Sequence, residues 1–497
     1  MQAKQENTQQ ESWRLGGAEA VMAEQCQARG PHAAVAAAAP LAALIGTEML
    51  RAGGNAYDAA VAAALAETVL LPPKCGLAGD LVALVWHKDR KDPETLLAIG
   101  GAPRGLSAVA ERGELERTGP TSVGVPAAPA GYLALAERGR LPLAQLAQPS
   151  IDLAREGFCW SRICSALAQE SAELVARHNP SGCCYYPEGK EIRPGTITRL
   201  PGLARALEAL VADGPKFLAG EVGEAILRCV REHGGILEQD DFAFATAEWT
   251  ACQAGRLGDM PLYVTPAPTH GASLIHAVQE VTPSTEYAAA AVYAGVMKAI
   301  AWQRRELADP SGTSMVSAVD QDGTMVTIVH SNSYPRFGSG LIVHDYDLIL
   351  SNRAGRGYSS DPAHPNFPVA GRRPATTLHA WALQKKDQTR LLGATPGGAN
   401  QMPWNAQTLA RLVTGQEDIG RLIVAPRWEW IPADDSLVVE DGFTAGEMAL
   451  LRSQASRLEE VELWATSSAM QIIAANGDGL CVSAAADPRT VGSVMAF

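Results

Sequence analysis

A threonine hydroxyl at the start of an alternating segment is the first feature of this sequence that could do chemistry. Thr313 precedes the alternating residues 315–319, a turn follows at 320–323, and a second alternating segment returns over 324–331. Two such segments joined by a D-x-D-G turn predict a β-hairpin. If the chain is cut before Thr313, the new α-amine, with a pKa of about 8, can act as the base for the hydroxyl beside it. The hairpin alone favours a plainer interpretation, a loop threonine entering a strand.

The segments around this hairpin predict helices before Thr313 and mainly strands after it. Residues 40–71 predict two helices separated by two glycines, with Pro40 at the start of the first and Asn55 as the cap of the second. Further strands are predicted at 341–350, 390–395, 469–475 and 480–484. Helices followed by sheets that are themselves flanked by helices predict a layered α/β (α+β) fold with one cavity.

The amino-acid composition and net charge limit the kinds of molecule that this protein could bind. The 497 residues are 47% hydrophobic and 19% charged, which is typical of a compact globular protein. The net charge of −13 argues against nucleic acid or an anionic membrane surface as a partner. No apolar run reaches about 18 residues, so we predict no transmembrane span. Composition therefore argues against nucleic-acid and membrane partners.

Cysteine usage and the N-terminus suggest where the protein works. The nine cysteines are scattered singly apart from Cys183-Cys184, and no CxxC or Cys/His zinc spacing appears. This pattern favours reduced thiols in a cytoplasmic protein. Nothing in the sequence points to a metal site or an organic cofactor. The polar start of the chain lacks the apolar segment of a signal peptide or anchor, and we predict that residues 1–30 are flexible.

Ten segments match one family pattern in chain order, and together they cover nearly the whole sequence. They resemble the γ-glutamyltransferase-like family of N-terminal-nucleophile (Ntn) hydrolases. The segments include RAGGNAYDAAVAAALAE, KCGLAGDLVALVW, TSVGVPAAPAGYLAL, TPAPTHGASLI, GTSMVSAVDQDG with FGSG, GRRPATTL, TPGGAN, APRW and ADPRTVG, and a tenth spans 140–158.

This resemblance implies a four-layer αββα sandwich and a precursor that cleaves itself before a threonine. The cut would fall between Gly312 and Thr313. It would give a large-subunit portion, 31–312, and a small-subunit portion, 313–497, which together form one domain. A dimer of these subunit pairs is a further expectation from the family.

The resemblance also assigns roles to particular residues. Thr313 is the nucleophile, and Ser331 takes the place of a second threonine whose hydroxyl bonds to it. The backbone N–H groups of Gly397 and Gly398 form the oxyanion hole, where glycine lets the backbone approach the developing charge. Thr376 and Thr377 match two serines that bind a substrate carboxylate, and Asn332 is a possible substrate contact. His330 is expected to be structural, because threonine chemistry of this kind needs no histidine.

Two departures concern the groups that would hold a γ-glutamyl substrate. Ile99 stands where the family has an arginine for the α-carboxylate. The position of the aspartate for the α-amino group falls near Gly355, and no carboxylate occurs from 352 to 360. A buried zwitterion needs both partners, because an unpaired buried charge is costly. These departures disfavour γ-glutamyl specificity.

Five arginines in the matching segments favour an anionic substrate: Arg336, Arg353, Arg356, Arg372 and Arg373. The alternative is that they bind loop carbonyls at the surface. We expect Asn352 and Arg353 to contact the substrate.

Three hypotheses follow from these observations. The first is a self-processing Ntn amidohydrolase whose substrate is small and carboxylate-bearing but not γ-glutamyl. The second is a true γ-glutamyltransferase or glutathione hydrolase. The third, of another class, is an unprocessed and catalytically silent binding or scaffold protein.

Overall fold

The hairpin around Thr313 forms the middle of a seven-stranded sheet in the computed structural model, which describes residues 17–279, 281, 287–306, 313–415, 418–479 and 481–497. All its strands are antiparallel to their neighbours, and every residue of the two hairpin strands is buried. This sheet, called sheet I, has the spatial order Ser493–Ala496, Ala34–Ala37, Ser314–Val319, Met325–Ser331, Asp80–Trp86, Glu94–Ala98 and Glu248–Ala251.

A second seven-stranded antiparallel sheet packs against the first. Side chains of both sheets meet in an apolar core, where Met315 and Val329 of sheet I lie in one cluster with Leu392 and Ile473 of the second sheet. This sheet, called sheet II, has the order Gln27–Gly30, Val482–Ala486, Gln471–Ala475, Arg390–Ala394, Trp381–Gln384, Met260–Val264 and Gln253–Leu257. The smaller sheets contain Phe158–Cys159, Ile197–Thr198, Ile342–Val343, Leu348–Ile349, Trp428–Ile431, Ser436–Glu440 and Leu458–Val461.

Helices cover the outer face of each sheet. Pro40–Arg51 and Ala56–Leu70 share an apolar core with sheet I, while Gly271–Val278, Ala289–Glu306 and Gln401–Val413 share one with sheet II. The predicted four-layer αββα sandwich is therefore confirmed. The remaining helices are Ala18–Gln25, Leu106–Glu111, Ala128–Ala136, Leu143–Glu156, Arg162–His178, Pro201–Asp213, Glu221–Glu232, Arg353–Gly357, Ile419–Val424 and Ala445–Gln454. In the described part of the chain, no helix has both the length and the apolar character that a bilayer crossing requires.

The two helices predicted within residues 40–71 form as the sequence indicates. Asn55 accepts hydrogen bonds from the N–H groups at the start of Ala56–Leu70, and Asp58 accepts one in return from Asn55, which makes a capping box. Every residue of Ala56–Leu70 is buried between neighbouring helices and sheet I. Glu67 therefore brings a carboxylate into the protein interior.

Residues 1–30 were predicted to be flexible, but the second half of this range forms regular secondary structure. Residues 1–16 lie outside the described residues, but Ala18–Gln25 is a helix. Gln27–Gly30 pairs with Val482–Ala486 at the edge of sheet II. Backbone pairing with a distant strand explains the difference, since this segment has no strong apolar alternation of its own.

Candidate active site

Thr313 lies immediately before the strand Ser314–Val319 and is completely buried. Ser314 pairs with His330 across the hairpin, so the antiparallel register places Thr313 opposite Ser331. The predicted nucleophile and the residue predicted to support it therefore lie side by side at the open end of the hairpin. Gly312, on the other side of the predicted cut, lies outside the described residues.

Ser331 and Asn332 end the second hairpin strand in a closely bonded loop. Ser331 Oγ accepts a hydrogen bond from the backbone N–H of Ser333 at 2.8 Å. Asn332 Nδ2 donates to the carbonyl of Pro72 at 3.2 Å, while its Oδ1 is buried with no hydrogen-bond partner among the described residues. A buried acceptor without a partner is costly, which sets Asn332 Oδ1 apart from the bonded groups around it.

Gly397 and Gly398 form a turn whose backbone angles favour glycine. Their φ angles are 138° and 59°, in the region that favours glycine. A Cβ atom at Gly397 would lie 2.1 Å from the ring of Trp404. The turn leads directly into Gln401–Val413, so its backbone N–H groups and the side chain of Gln401 are positioned by one rigid segment.

Gln401 is a site residue that the sequence analysis missed. Its Nε2 donates to Thr313 Oγ1 at 3.0 Å and to Thr377 Oγ1 at 3.2 Å. The available signal was its place directly after the TPGGAN turn. Thr376 is also buried, and its hydroxyl oxygen accepts the backbone N–H of Leu378 at 3.2 Å. Thr376 and Thr377 were both predicted to bind a substrate carboxylate. Of the two, only Thr377 shares the Gln401 side-chain amide with Thr313 in the hydrogen bonds described above.

The imidazole beside Thr377 is neutral. His379 Nδ1 lies 2.7 Å from the carbonyl of Thr377, which can only accept, so this nitrogen carries the proton. His379 Nε2 accepts from Asn405 Nδ2 at 2.9 Å. Burial lowers the pKa of His379 to about 4. The chain of hydrogen bonds that runs from the Thr313 hydroxyl through Gln401 and Thr377 to His379 is therefore uncharged at neutral pH.

The opposite face of the same strand carries a buried charged network. Ser314 Oγ donates to Glu67 Oε2 at 2.6 Å, and His330 Nε2 donates to the same oxygen at 3.0 Å. The Tyr132 hydroxyl donates to His330 Nδ1 at 2.8 Å. The backbone N–H of Ala38 donates to Glu67 Oε1 at 2.6 Å. His330 is thus part of a network of four side chains that includes Ser314, the residue next to the predicted nucleophile.

This network includes residues that could hold a metal ion by type. Potential ligand atoms of Glu67, Cys75 and His330 all lie within 4.8 Å of one another. However, Glu67 and His330 are bonded to each other, and the Cys75 thiol donates to the carbonyl of Glu67 at 3.5 Å. Burial raises the pKa of the Cys75 thiol well above its usual value, which opposes the thiolate that a metal would need. Hydrogen bonding accounts for these atoms, and we assign no metal to them.

The five arginines separate into two groups. The Arg353 guanidinium is buried and donates to Asp80 at 2.6 Å. Arg372 donates to two loop carbonyls, and Arg373 pairs with Glu248 at 2.6 Å. Arg372 follows the alternative interpretation of a surface arginine bound to loop carbonyls, whereas Arg353 and Arg373 are each paired with a carboxylate of the protein.

The other two arginines lie around an exposed aromatic ring. Tyr334 is 45% exposed, with the guanidinium carbons of Arg336 and Arg356 at 5.9 and 5.4 Å from its ring centroid. Arg336 Nε and Nη1 are buried and have no hydrogen-bond partner in the described part of the chain. Asn352 Nδ2 donates to the carbonyls of Tyr334 and Arg117, so this side chain anchors the loop. Arg336 and Arg356 thus place positive charge beside Tyr334.

Geometry explains both departures from the family pattern. Ile99 is completely buried in the apolar core between the sheets. A Cβ atom at Gly355 would lie 2.0 Å from the carbonyl oxygen of Glu116. Neither position accommodates a charged side chain without burying it in apolar surroundings or displacing backbone.

Comparison with known proteins gives similarity over nearly the whole chain. The family model described as gamma-glutamyltranspeptidase matches residues 42–311 and 278–497. The chain is 25% identical to the glutathione hydrolase proenzyme of Escherichia coli (strain K12), over 94% of this chain and 92% of that protein. It is 26% identical to the oxamate amidohydrolase proenzyme of Klebsiella pneumoniae, over 94% and 98%. The crystal structure of cephalosporin acylase from Bacillus halodurans superposes with a TM-score of 0.84 and 26% identity, over 95% and 97%.

Proposed function

Because this chain belongs to the gamma-glutamyltranspeptidase family, whose members include amide hydrolases made as proenzymes, we propose that it is a self-processing Ntn amidohydrolase. Cleavage between Gly312 and Thr313 frees the α-amine of Thr313. That amine takes the hydroxyl proton while Oγ1 attacks an amide carbonyl, and the amide nitrogen leaves with a proton. Water then hydrolyses the acyl-enzyme ester.

The hydrogen bond from Gln401 Nε2 to the buried Oγ1 of Thr313 is the observation that carries this proposal. Because Gln401 donates, the proton of the Thr313 hydroxyl is directed toward another acceptor. A donor at this position also stabilises negative charge that develops on or near Oγ1.

The other residues take supporting parts in the proposal. Ser331 bonds to the nucleophile, and the backbone N–H groups of Gly397 and Gly398 bind the oxyanion. Asn332, Thr376 and Thr377 contact the substrate. Asn352 and Arg353 act indirectly, because their side chains are engaged by loop carbonyls and by Asp80.

We propose a small amide whose acyl group carries a carboxylate and no α-amine. Arg336 and Arg356 around Tyr334 supply positive charge for the carboxylate. The backbone of Glu116 fills the place of the missing aspartate at Gly355, so an α-ammonium group would find no carboxylate there. An ammonium group that loses water without gaining a partner binds poorly.

We also propose that residues 31–312 and 313–497 remain together as large and small subunits of one domain, and that two such pairs form a dimer. The proenzyme relatives support cleavage into two subunits. The dimer is supported by the family resemblance alone. Nine free cysteines support a cytoplasmic location.

A denaturing gel tests the processing. Wild-type protein should give one band for 1–312 and one for 313–497, whereas Thr313→Ala should stay full-length. Ser317→Ala is the matched control, since it removes a buried hydroxyl from the same strand at a distance from the site. A wild-type chain that remains uncut would favour the silent binding or scaffold protein.

Three anilides test the substrate class. Glutaryl-anilide differs from γ-glutamyl-anilide by the α-amino group, and butyryl-anilide lacks the carboxylate. We expect kcat/KM to be highest for glutaryl-anilide, by about tenfold or more over each of the others, since a charged partner is worth about 1.5–3 kcal/mol. Turnover of γ-glutamyl-anilide that equals or exceeds that of glutaryl-anilide would instead identify a glutathione hydrolase.

A further inference from the structure

We propose that Glu67 is a positioning residue that orients Thr313 for self-cleavage through the side chain of Ser314. This inference rests on the proposed function and adds to it a residue of the helical layer. Ser314 directly follows Thr313, and its hydroxyl donates to Glu67 Oε2 at 2.6 Å. Glu67 and Gln401 lie on opposite faces of the strand. Glu67 therefore influences the position of Thr313 through the backbone that Thr313 shares with Ser314.

Glu67 is held in place independently of Ser314. It lies in Ala56–Leu70, a helix whose residues are all buried. Its Oε1 accepts the backbone N–H of Ala38 at 2.6 Å, and its Oε2 also accepts His330 Nε2 at 3.0 Å. Tyr132 in turn fixes the His330 ring at 2.8 Å. A carboxylate bonded at both oxygens has no freedom to follow Ser314, so Ser314 must adopt the position that Glu67 sets.

The position of Ser314 matters because Ser314 is bonded directly to Thr313, the residue that reacts. Self-cleavage requires Thr313 Oγ1 to approach the carbonyl carbon of the preceding residue, and attack geometry tolerates little displacement. Ser314 shares a peptide group with Thr313, so a fixed Ser314 limits the rotation of Thr313. The hydrogen bond from Gln401 to Oγ1 constrains the side chain of the same residue. Together the two bonds hold both the backbone and the hydroxyl of the nucleophile.

The alternative is that the hydrogen bonds among Glu67, Ser314, His330 and Tyr132 stabilise the fold and have no effect on self-cleavage. The two interpretations differ in what the Ser314 hydroxyl does. Ser314→Thr keeps a hydroxyl that can donate to Glu67, whereas Ser314→Val has the same shape and volume without it. Any cost of the added methyl group is common to both variants, so their difference isolates the hydrogen bond.

The experiment follows self-cleavage of freshly purified precursor on a denaturing gel over time for wild type, Ser314→Thr and Ser314→Val, with the melting temperature of each. We expect Ser314→Val to cleave more slowly than Ser314→Thr by about tenfold to a hundredfold, the scale of losses from small displacements of reacting groups. Ser314→Thr should cleave within about threefold of wild type.

Two results would overturn the inference while leaving the proposed function standing. One is equal cleavage by Ser314→Val and Ser314→Thr. The other is a slower cleavage rate in Ser314→Val that disappears when each variant is assayed the same number of degrees below its own melting temperature. An uncut wild-type chain would remove the proposed function and the inference together, and the wild-type lane distinguishes that case from the other two.

Discussion

The two faces of the strand Ser314–Val319 present different chemistry at the point where the strand begins. On one face the Thr313 hydroxyl contacts the neutral amide of Gln401, which also bonds to Thr377. On the other face the Ser314 hydroxyl contacts the carboxylate of Glu67. Adjacent residues of a strand point to opposite faces, so one peptide step separates a neutral environment from a charged one.

The difference suits the charge that the proposed reaction would create. In that reaction, attack by Thr313 places negative charge on an oxyanion, which N–H donors stabilise and a nearby carboxylate would oppose. Two like charges 4 Å apart near a protein surface repel by about 4 kcal/mol, which corresponds to about a thousandfold in rate. A carboxylate behind the strand can position the nucleophile while the strand separates it from that charge.

Replacement of Gln401 should have the largest effect. Gln401→Leu removes the donor to Thr313 Oγ1, and we expect kcat to fall by about 10²–10³-fold with little change in melting temperature. Gln407→Leu is the matched control, because Gln407 is a buried glutamine of the same helix that donates to the carbonyl of Trp428 at 2.9 Å. It should lower the melting temperature more than kcat. Equal losses of kcat in the two variants would contradict the neutral-donor role.

A double variant tests whether Glu67 and Ser314 act through one contact. Ser314→Val and Glu67→Gln should each slow self-cleavage by about tenfold to a hundredfold. If both break the same contact, the double variant should be no slower than the slower single variant. Cleavage kinetics of the four proteins measure this. Multiplication of the two effects would mean that Glu67 acts by another route.

Replacement of Arg336 should have a substrate-dependent effect. Arg336→Met should lower kcat/KM for glutaryl-anilide by about tenfold, the loss expected for one charged hydrogen bond. It should leave butyryl-anilide unchanged. Arg372→Met serves as control, because Arg372 binds loop carbonyls. A parallel loss on both substrates would show that Arg336 supports the fold and not the carboxylate.

The last prediction concerns the stability of the folded chain in acid and not a reaction rate. His379 has a pKa of about 4 in the folded chain against 6.5 in the unfolded chain. As pH falls from 6.5 to 4, the unfolded chain binds a proton that the folded chain refuses, so stability falls by at most roughly 1.4 kcal/mol per pH unit. Urea unfolding of wild type and His379→Gln across this range isolates the contribution. Identical slopes would mean that His379 is not held neutral.

Local patterns in the sequence predicted the elements around the site. The alternation on both sides of the turn at 320–323 gave the hairpin, and Pro40 and Asn55 marked the starts of two helices. Such features depend on neighbouring residues, which is why they can be read without a structure. The family segments added the αββα layers and the family itself.

Tertiary structure alone decided which distant side chains meet Thr313 and Ser314, and which arginines pair with a carboxylate of the protein. Gln401 and Glu67 lie far from Thr313 in the chain; the place of Gln401 after the TPGGAN turn was the only local signal for it, and no local pattern marks Glu67. Arg353 and Arg336 look alike in sequence, yet one pairs with Asp80 and the other has buried nitrogens with no hydrogen-bond partner in the described part of the chain. These outcomes depend on how layers pack, because packing determines which carboxylates, carbonyls and amides come within hydrogen-bonding distance.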